Sequence, residues 1–224
     1  ARRSLKCIVE VEISVPRGAE VAPKTFNPRL GITGGISILG TSGIVQPFSS
    51  EAFLQSIHQQ IRVAKASSCP TIVINSGAMS ERFVKAHYPC YPAQNYIHYG
   101  NLIGATISLA ASEQIEHIIL GVMIGKAVKL AAGALDTHSK RVVLNHDFLV
   151  QLSREAGCSE STQQQISEIT TARQLWGIVP PEESLFYDLI AQNCYRHCKP
   201  LMPNGSLELL LLGESGELVS RVGS

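Results

Sequence analysis

Apolar and polar residues alternate from the start of the chain. In Leu5 to Val15 (LKCIVEVEISV), Cys7, Val9, Val11 and Ile13 fall on one face, with Ile8, Glu10 and Glu12 on the other. That period of two predicts a half-buried strand, ended by Pro16-Arg17-Gly18. A short turn or helix over Gly18 to Thr25 leads to the turn signal Asn27-Pro28. The apolar run Ile36-Ser37-Ile38-Leu39 is bounded by glycines, which predicts a short buried strand between tight turns.

The period then changes to that of a helix. Phe53, Leu54, Ile57, Ile61 and Ala64 form an apolar stripe along Glu51 to Ala66. Ser49 or Ser50 caps that helix, and Glu51 suits its positive end. Continuous apolar runs at Thr71 to Asn75 and Ile115 to Val122 predict buried strands of the parallel type. Tyr96 to Tyr99 reads as a shorter strand. Helices are expected near Ser80 to His87, over Leu102 to Gln114 and from Gly125 to Ala134. Alternating strands and helices argue for an α/β layer with a mainly parallel sheet and flanking helices.

From Arg141 the grain is different. Val142 to Ala156, Ser161 to Trp176 and Glu182 to Cys198 read as helices. Leu207 to Leu212 reads as a strand, and Leu218 to Val222 as its hairpin partner across Gly213 to Glu217. The expected organisation is an α/β domain over 1–140 and a helical region over 141–224 packed on it, or one continuous domain.

Composition narrows the function classes. A 45% hydrophobic content over 224 residues suits a globular core. A formal charge of +1 gives no general attraction to nucleic acid or an anionic membrane. No apolar run reaches the length of a membrane span. Cysteines stand at 7, 69, 90, 158, 194 and 198 without a CxxC pair, which reads as reduced thiols in a cytoplasmic protein. Cys194, His197 and Cys198 form one cluster without a partner cluster, so no metal site is expected. The abrupt start at Ala1 reads as a domain cut from something longer.

Candidate chemistry sits in the loops, because ligands of parallel sheets bind beyond the carboxyl ends of the strands. The loops in question are Gly40 to Gly43, Asn75 to Gly77, Tyr99 to Gly104 and Gly121 to Gly125. The stretch Phe26 to Pro47 carries Gly31, Gly34, Gly35, Gly40 and Gly43 among the small polar residues Thr33, Ser37, Thr41 and Ser42. It matches neither G-x-x-x-x-G-K-[ST] nor G-x-G-x-x-G. A polar ligand held by backbone groups and small hydroxyls suits it better than a phosphate. Asp136-Thr137-His138-Ser139 is the densest set of reactive groups. Two accounts of it stand side by side: His138 moves a proton with Asp136 as its orienter, or the residues cap a helix. A Ser-His-Asp hydrolase has no G-x-S-x-G elbow here. Lys126 and Lys129, three apart on a helix, present either an anion-binding face or a solvated one.

These same residues carry a family resemblance. KTFNPRLGITGGISILGTSGIVQPFS (Lys24 to Ser49) resembles the central signature of the CbiD-type cobalt-precorrin-5B C1-methyltransferases. GVMIGKAVKLAAGALDTHSKR (Gly121 to Arg141) is similar to that family's lysine-bearing helix and Thr-His-Ser motif. NLIGATISLAA (Asn101 to Ala111) resembles its Asn-Phe-Ile-Gly helix. The likeness runs from about Val9 to about Ala156 and is weaker over Ser159 to Ser224. It departs in lacking the family's N-terminal domain and in having Asp136 where the family usually has Asn.

The resemblance implies methyl transfer from S-adenosylmethionine to C1 of a cobalt-precorrin in anaerobic cobalamin biosynthesis. The same pathway step releases a two-carbon fragment from C20, which gives a proton-moving residue a task. On that basis Gly34, Gly35, Gly40, Thr41, Ser42 and Gly43 are the expected cofactor contacts. Lys126, Lys129, Thr137 and Ser139 are the expected substrate contacts, with Arg141 as a further cation. His138 and Asp136 are the expected catalytic pair. A homo-oligomer or a fusion to another pathway enzyme is a further expectation. The rival reading is a non-catalytic tetrapyrrole-binding fragment whose active site needs a missing domain.

Overall fold

A computed structural model of the chain describes residues 10, 12–25, 27–37, 49–66, 70–138, 142–180 and 184–223. The chain divides into two compact units, Ala1–Gln46 and Pro47–Ser224.

The first unit holds α1 (Gly18–Val21) and short 3-10 turns at Ala22–Lys24 and Asn27–Leu30. Asn27 closes the loop that follows. Its Nδ2 donates to Gly35 O at 3.2 Å, and its main-chain O accepts from Ile32 N at 2.9 Å. Most of the strand expected over Leu5 to Val15 lies outside the described residues. Ile13, Ser14 and Val15 belong to no strand, and Arg17 turns the chain in the left-handed region at φ 65°. Ile36 and Ser37 also belong to no regular element, and the rest of that expected strand lies outside the described residues.

The second unit opens with α2 (Ser50–Ala66). Ser49 Oγ accepts from Ala52 N at 3.2 Å and so caps it. Then come β1 (Thr71–Asn75), α3 (Ala78–His87), β2 (Tyr96–His98), α4 (Ile103–Ser112), β3 (His117–Met123) and α5 (Ile124–Ala131). The chain continues through α6 (His146–Glu155), α7 (Glu160–Ser167), α8 (Leu175–Ile178) and α9 (Ser184–Cys198). It closes with the hairpin β4 (Ser206–Leu212) and β5 (Leu218–Gly223).

The sheet order is β2-β1-β3-β4-β5. The pairs β1–β2, β1–β3 and β3–β4 are parallel, and β4–β5 is antiparallel. The α/β class and the mainly parallel sheet are therefore as expected, and so is the terminal hairpin. Strand β3 lies between two parallel neighbours, with Ile118 opposite Ile72 of β1 and Leu207 of β4.

Alternation along the strands divides the core. Ile72, Ile74, Ile118, Leu120, Leu207 and Leu209 pack with residues of α2, α4, α5 and α9. Val73, Ile119 and Leu210 pack with Phe83 and Val84 of α3. Cys194 Sγ donates to Ala127 O at 3.1 Å, tying α9 to α5. Burial pushes the Cys198 thiol up to about 12 and the Cys194 thiol well above its ordinary value, so both stay neutral.

Three sequence expectations are corrected. Gly121 stands both at the end of the expected strand Ile115 to Val122 and at the start of the expected loop Gly121 to Gly125; it lies inside β3, which runs to Met123 and passes straight into α5. A Cβ there would stand 2.3 Å from Val84 Cγ2, so the missing side chain lets α3 sit close on the sheet. The helix expected from Val142 starts at His146, because Asn145 Oδ1 accepts from Phe148 N at 3.1 Å and caps it there. The helix expected over Ser161 to Trp176 is broken after Ser167. Gln174 Oε1 accepts from the main-chain N–H groups of Thr170 and Thr171, both at 2.8 Å, and holds a separate turn.

Candidate functional site

Three segments of the second unit meet at the carboxyl end of β2. They are the start of α2 (Ser49, Ser50, Phe53), the turn Gly100-Asn101-Leu102 and the pair Asp136 and His138. They line a cleft of about 260 Å³. Its place agrees with the rule that ligands of open parallel sheets bind past the strand carboxyl ends.

The turn is fixed by packing. Gly100 has φ +59°, and a Cβ there would stand 2.8 Å from Phe53 Cε1. Only glycine combines that backbone conformation with the close approach of the ring. Leu102 N then donates to Tyr99 O at 2.9 Å, and α4 begins at the next residue.

The segment after α5 is stitched onto this turn. Leu102 and Asp136 form an antiparallel bridge. Thr137 N donates to Asn101 O at 2.9 Å, with Thr137 Oγ1 3.4 Å from the same oxygen. Gly104 N donates to Leu135 O at 3.0 Å. Asp136 Oδ1 accepts from the main-chain N–H of His138 at 3.1 Å, so the carboxylate shapes the backbone that carries the imidazole. Val142 N donates to His138 O at 3.0 Å.

Lys126 projects from α5 to the same place, where its Nζ donates to Asn101 Oδ1 at 2.6 Å. Burial lowers the Lys126 pKa, the charge of Lys129 lowers it further, and Asp136 opposes both. The first residues of α2 and the N-cap of α4 also line the cleft. Both helices therefore turn their positive ends toward it. A half-buried ammonium, two helix N-termini and an imidazole suit a ligand that carries carboxylates.

The structure thus brings Asp136, His138 and Lys126 together, with Lys129 close enough to act on Lys126. Thr137 is 2% exposed and points its polar groups at Asn101 rather than at solvent. Gly34 and Gly35 lie in the first unit, where, among the described residues, nothing stands within 4 Å of the place a Cβ would take on either. Gly40, Thr41, Ser42, Gly43, Ser139 and Arg141 lie outside the described residues. Asn101 and Phe53 were not singled out in the sequence. Asn101 lies there in the candidate loop Tyr99 to Gly104 and opens the motif NLIGATISLAA without a role of its own, and Phe53 is only part of an apolar stripe. The available signal was the position of that loop directly after a parallel strand.

Among the described residues, no group of three or more His, Cys, Asp or Glu side chains is placed to hold a metal ion. Among them, too, no helix is long and apolar enough to cross a membrane.

Comparison with known proteins bears on both motif regions. A family model described as CbiD matches residues 2–47, and one described as CbiD, C-terminal domain, matches residues 136–223. The first match contains the glycine-rich stretch, and the second begins at Asp136. The chain is similar to a cobalt-precorrin-5B C(1)-methyltransferase of Prosthecochloris aestuarii, at 42% identity over 213 residues. That alignment covers 94% of this chain and 58% of the relative. Proteins with the same name from Geobacillus kaustophilus and Leptospira borgpetersenii are 40% and 36% identical. Those alignments cover 84% and 95% of this chain and 51% and 58% of the relatives. The chain thus spans little more than half the length of these curated relatives. No solved structure matches it.

Proposed function

Because the chain belongs to the CbiD family, we propose that it takes part in methyl transfer from S-adenosylmethionine to C1 of cobalt-precorrin-5B in anaerobic cobalamin biosynthesis. The observation that carries this reading is the cleft, which joins Asp136 and His138 to Asn101 and Lys126 at the carboxyl edge of the sheet. Bound S-adenosylmethionine supplies a sulfonium methyl group open to in-line attack, so holding the partners in place is much of the work.

The described residues fit such ligands. Among the described residues, nothing fills the place of a side chain at Gly34 or Gly35, which suits a nucleoside lying close. Gly40, Thr41, Ser42 and Gly43, small residues of the same glycine-rich motif, are further cofactor contacts in this reading. The tetrapyrrole's carboxylates meet the positive side of the cleft, formed by Lys126, Lys129 and the N-termini of α2 and α4. Thr137 supports that side by holding Asn101, and Ser139 is kept as a substrate contact from its sequence motif alone. His138, on a backbone shaped by Asp136, moves the proton that the substrate's rearrangement requires. The reaction belongs in the cytoplasm, where its methyl donor is made.

Calorimetric titration of the chain with S-adenosylhomocysteine tests this reading. Saturable binding at one site is expected, and it is lost when Gly34 and Gly35 are both replaced by valine. A flat titration up to millimolar ligand contradicts the reading.

A further inference from the structure

We infer that Asn101 is a ligand-contacting residue of the cleft and that Lys126 is the positioning residue that aims it. The inference deepens the methyl-transfer reading and rests on it.

An ammonium group donates hydrogen bonds and accepts none. The 2.6 Å contact from Lys126 Nζ therefore selects the oxygen of the Asn101 amide. The amide is planar, so Nδ2 is turned away from Lys126. Among the described residues no hydrogen bond occupies Nδ2, and Asn101 lines the cleft beside Leu102 and His138. An oriented N–H donor thus faces the space where a ligand sits.

The main chain of Asn101 is held as firmly as its side chain. Its carbonyl accepts from Thr137 N at 2.9 Å, and the next residue, Leu102, is bridged to Asp136. With Oδ1 and the carbonyl both engaged, the amide is preorganised, which is what a precise contact requires. Lys126 is half-buried on α5 with its charge directed at Asn101, so its effect on the ligand passes through that residue.

The contact favours an acceptor that carries negative charge: the Asp136 carboxylate also lines the cleft, but Lys126 and the N-termini of α2 and α4 oppose it, and an amide N–H binds a charged acceptor more strongly than a neutral one. The ligand group is a carboxylate oxygen. Two carriers exist in the proposed reaction: the amino-acid end of the methyl donor, and the acid side chains of the tetrapyrrole.

The test uses the full chain and four variants: Asn101→Asp, Asn101→Ala, Lys126→Met and the double variant Asn101→Ala/Lys126→Met. Asn101→Asp keeps an oxygen for Lys126 while removing the donor, so it separates ligand contact from folding. Affinity is measured for S-adenosylhomocysteine, for methylthioadenosine, which lacks the amino-acid end, and for cobalt-precorrin-5B. Asn101→Asp and Asn101→Ala are each expected to weaken one carboxylate ligand about 10- to 100-fold, the range of a hydrogen bond to a charged group. If the methyl donor is the carrier, methylthioadenosine binding stays within about twofold of wild type in every variant. If the tetrapyrrole is the carrier, only its binding falls. Lys126→Met is expected to give a loss in the same ligand, and the double variant to bind no worse than Asn101→Ala alone. Losses that multiply in the double variant overturn the positioning role. Unchanged affinity for both carboxylate ligands in Asn101→Asp overturns the contact. A wild-type chain that binds neither ligand defeats the methyl-transfer reading as well, which sets that failure apart from a variant that binds as wild type does.

Discussion

Under the proposed function, replacing His138 by alanine is expected to lower the rate of methyl transfer about 10²- to 10⁴-fold while S-adenosylhomocysteine affinity stays within about twofold. The rate range is what a positioned proton-transfer group contributes. His138 has the right placement for the task. It lines the cleft, its main-chain N–H donates to Asp136 Oδ1 at 3.1 Å, and its main-chain carbonyl accepts from Val142 N. An imidazole is also the side chain that changes charge nearest neutral pH. Single-turnover kinetics with saturating methyl donor provide the measurement, because they separate the chemical step from binding. His138→Gln should behave like His138→Ala, since glutamine keeps hydrogen bonding but cannot shuttle a proton at neutral pH. A loss of affinity with the chemical rate unchanged would make His138 a binding residue instead.

Ile118→Ala carries the largest expected effect on stability, about 2–5 kcal/mol of unfolding free energy. Ile118 is fully buried in β3, between Ile72 of β1 and Leu207 of β4. Its side chain faces the core shared with α2, α4, α5 and α9, so the surroundings have little room to collapse into the space left behind. In a unit of this size the loss corresponds to a fall in Tm of roughly 5–15 °C. Urea unfolding with an unchanged m-value would locate the loss in native packing. A change below about 1 kcal/mol would mean that β3 is not the centre of the core.

The strands were legible because their signal is local. Thr71 to Asn75 and Leu207 to Leu212 are continuous apolar runs, as strands covered on both faces must be. The order of the strands was not legible. It depends on pairings such as Ile118 with Leu207, between residues far apart in the chain. Helix ends were misjudged where one side chain decided them. Asn145 and Gln174 redirect the backbone through their own hydrogen bonds, and apolar periodicity does not register such bonds.

The lining of the candidate cleft was legible in part for a related reason. Asp136 and His138 stood out as a dense polar group in an apolar region, and the structure puts both on one cleft. Lys126 was recognised as a cation, but its partner was not. Asn101 precedes it by 25 residues and meets it only because β3 returns the chain to the sheet beside β1. Phe53 lies further still along the chain and enters the cleft through the N-terminal end of α2. The loop Tyr99 to Gly104 and the motif opening at Asn101 marked the segment but gave that residue no role, and nothing local separates Phe53 from a core residue.

Transfer of a labelled methyl group tests the central claim most directly. The chain is incubated with cobalt-precorrin-5B and S-adenosylmethionine carrying a ¹³C methyl, and the product is read by carbon NMR. The account predicts one new methyl resonance on C1, formed with the chain in catalytic amount and lost in His138→Ala. Label left wholly on the sulfonium, or label appearing at a ring carbon other than C1, would contradict it.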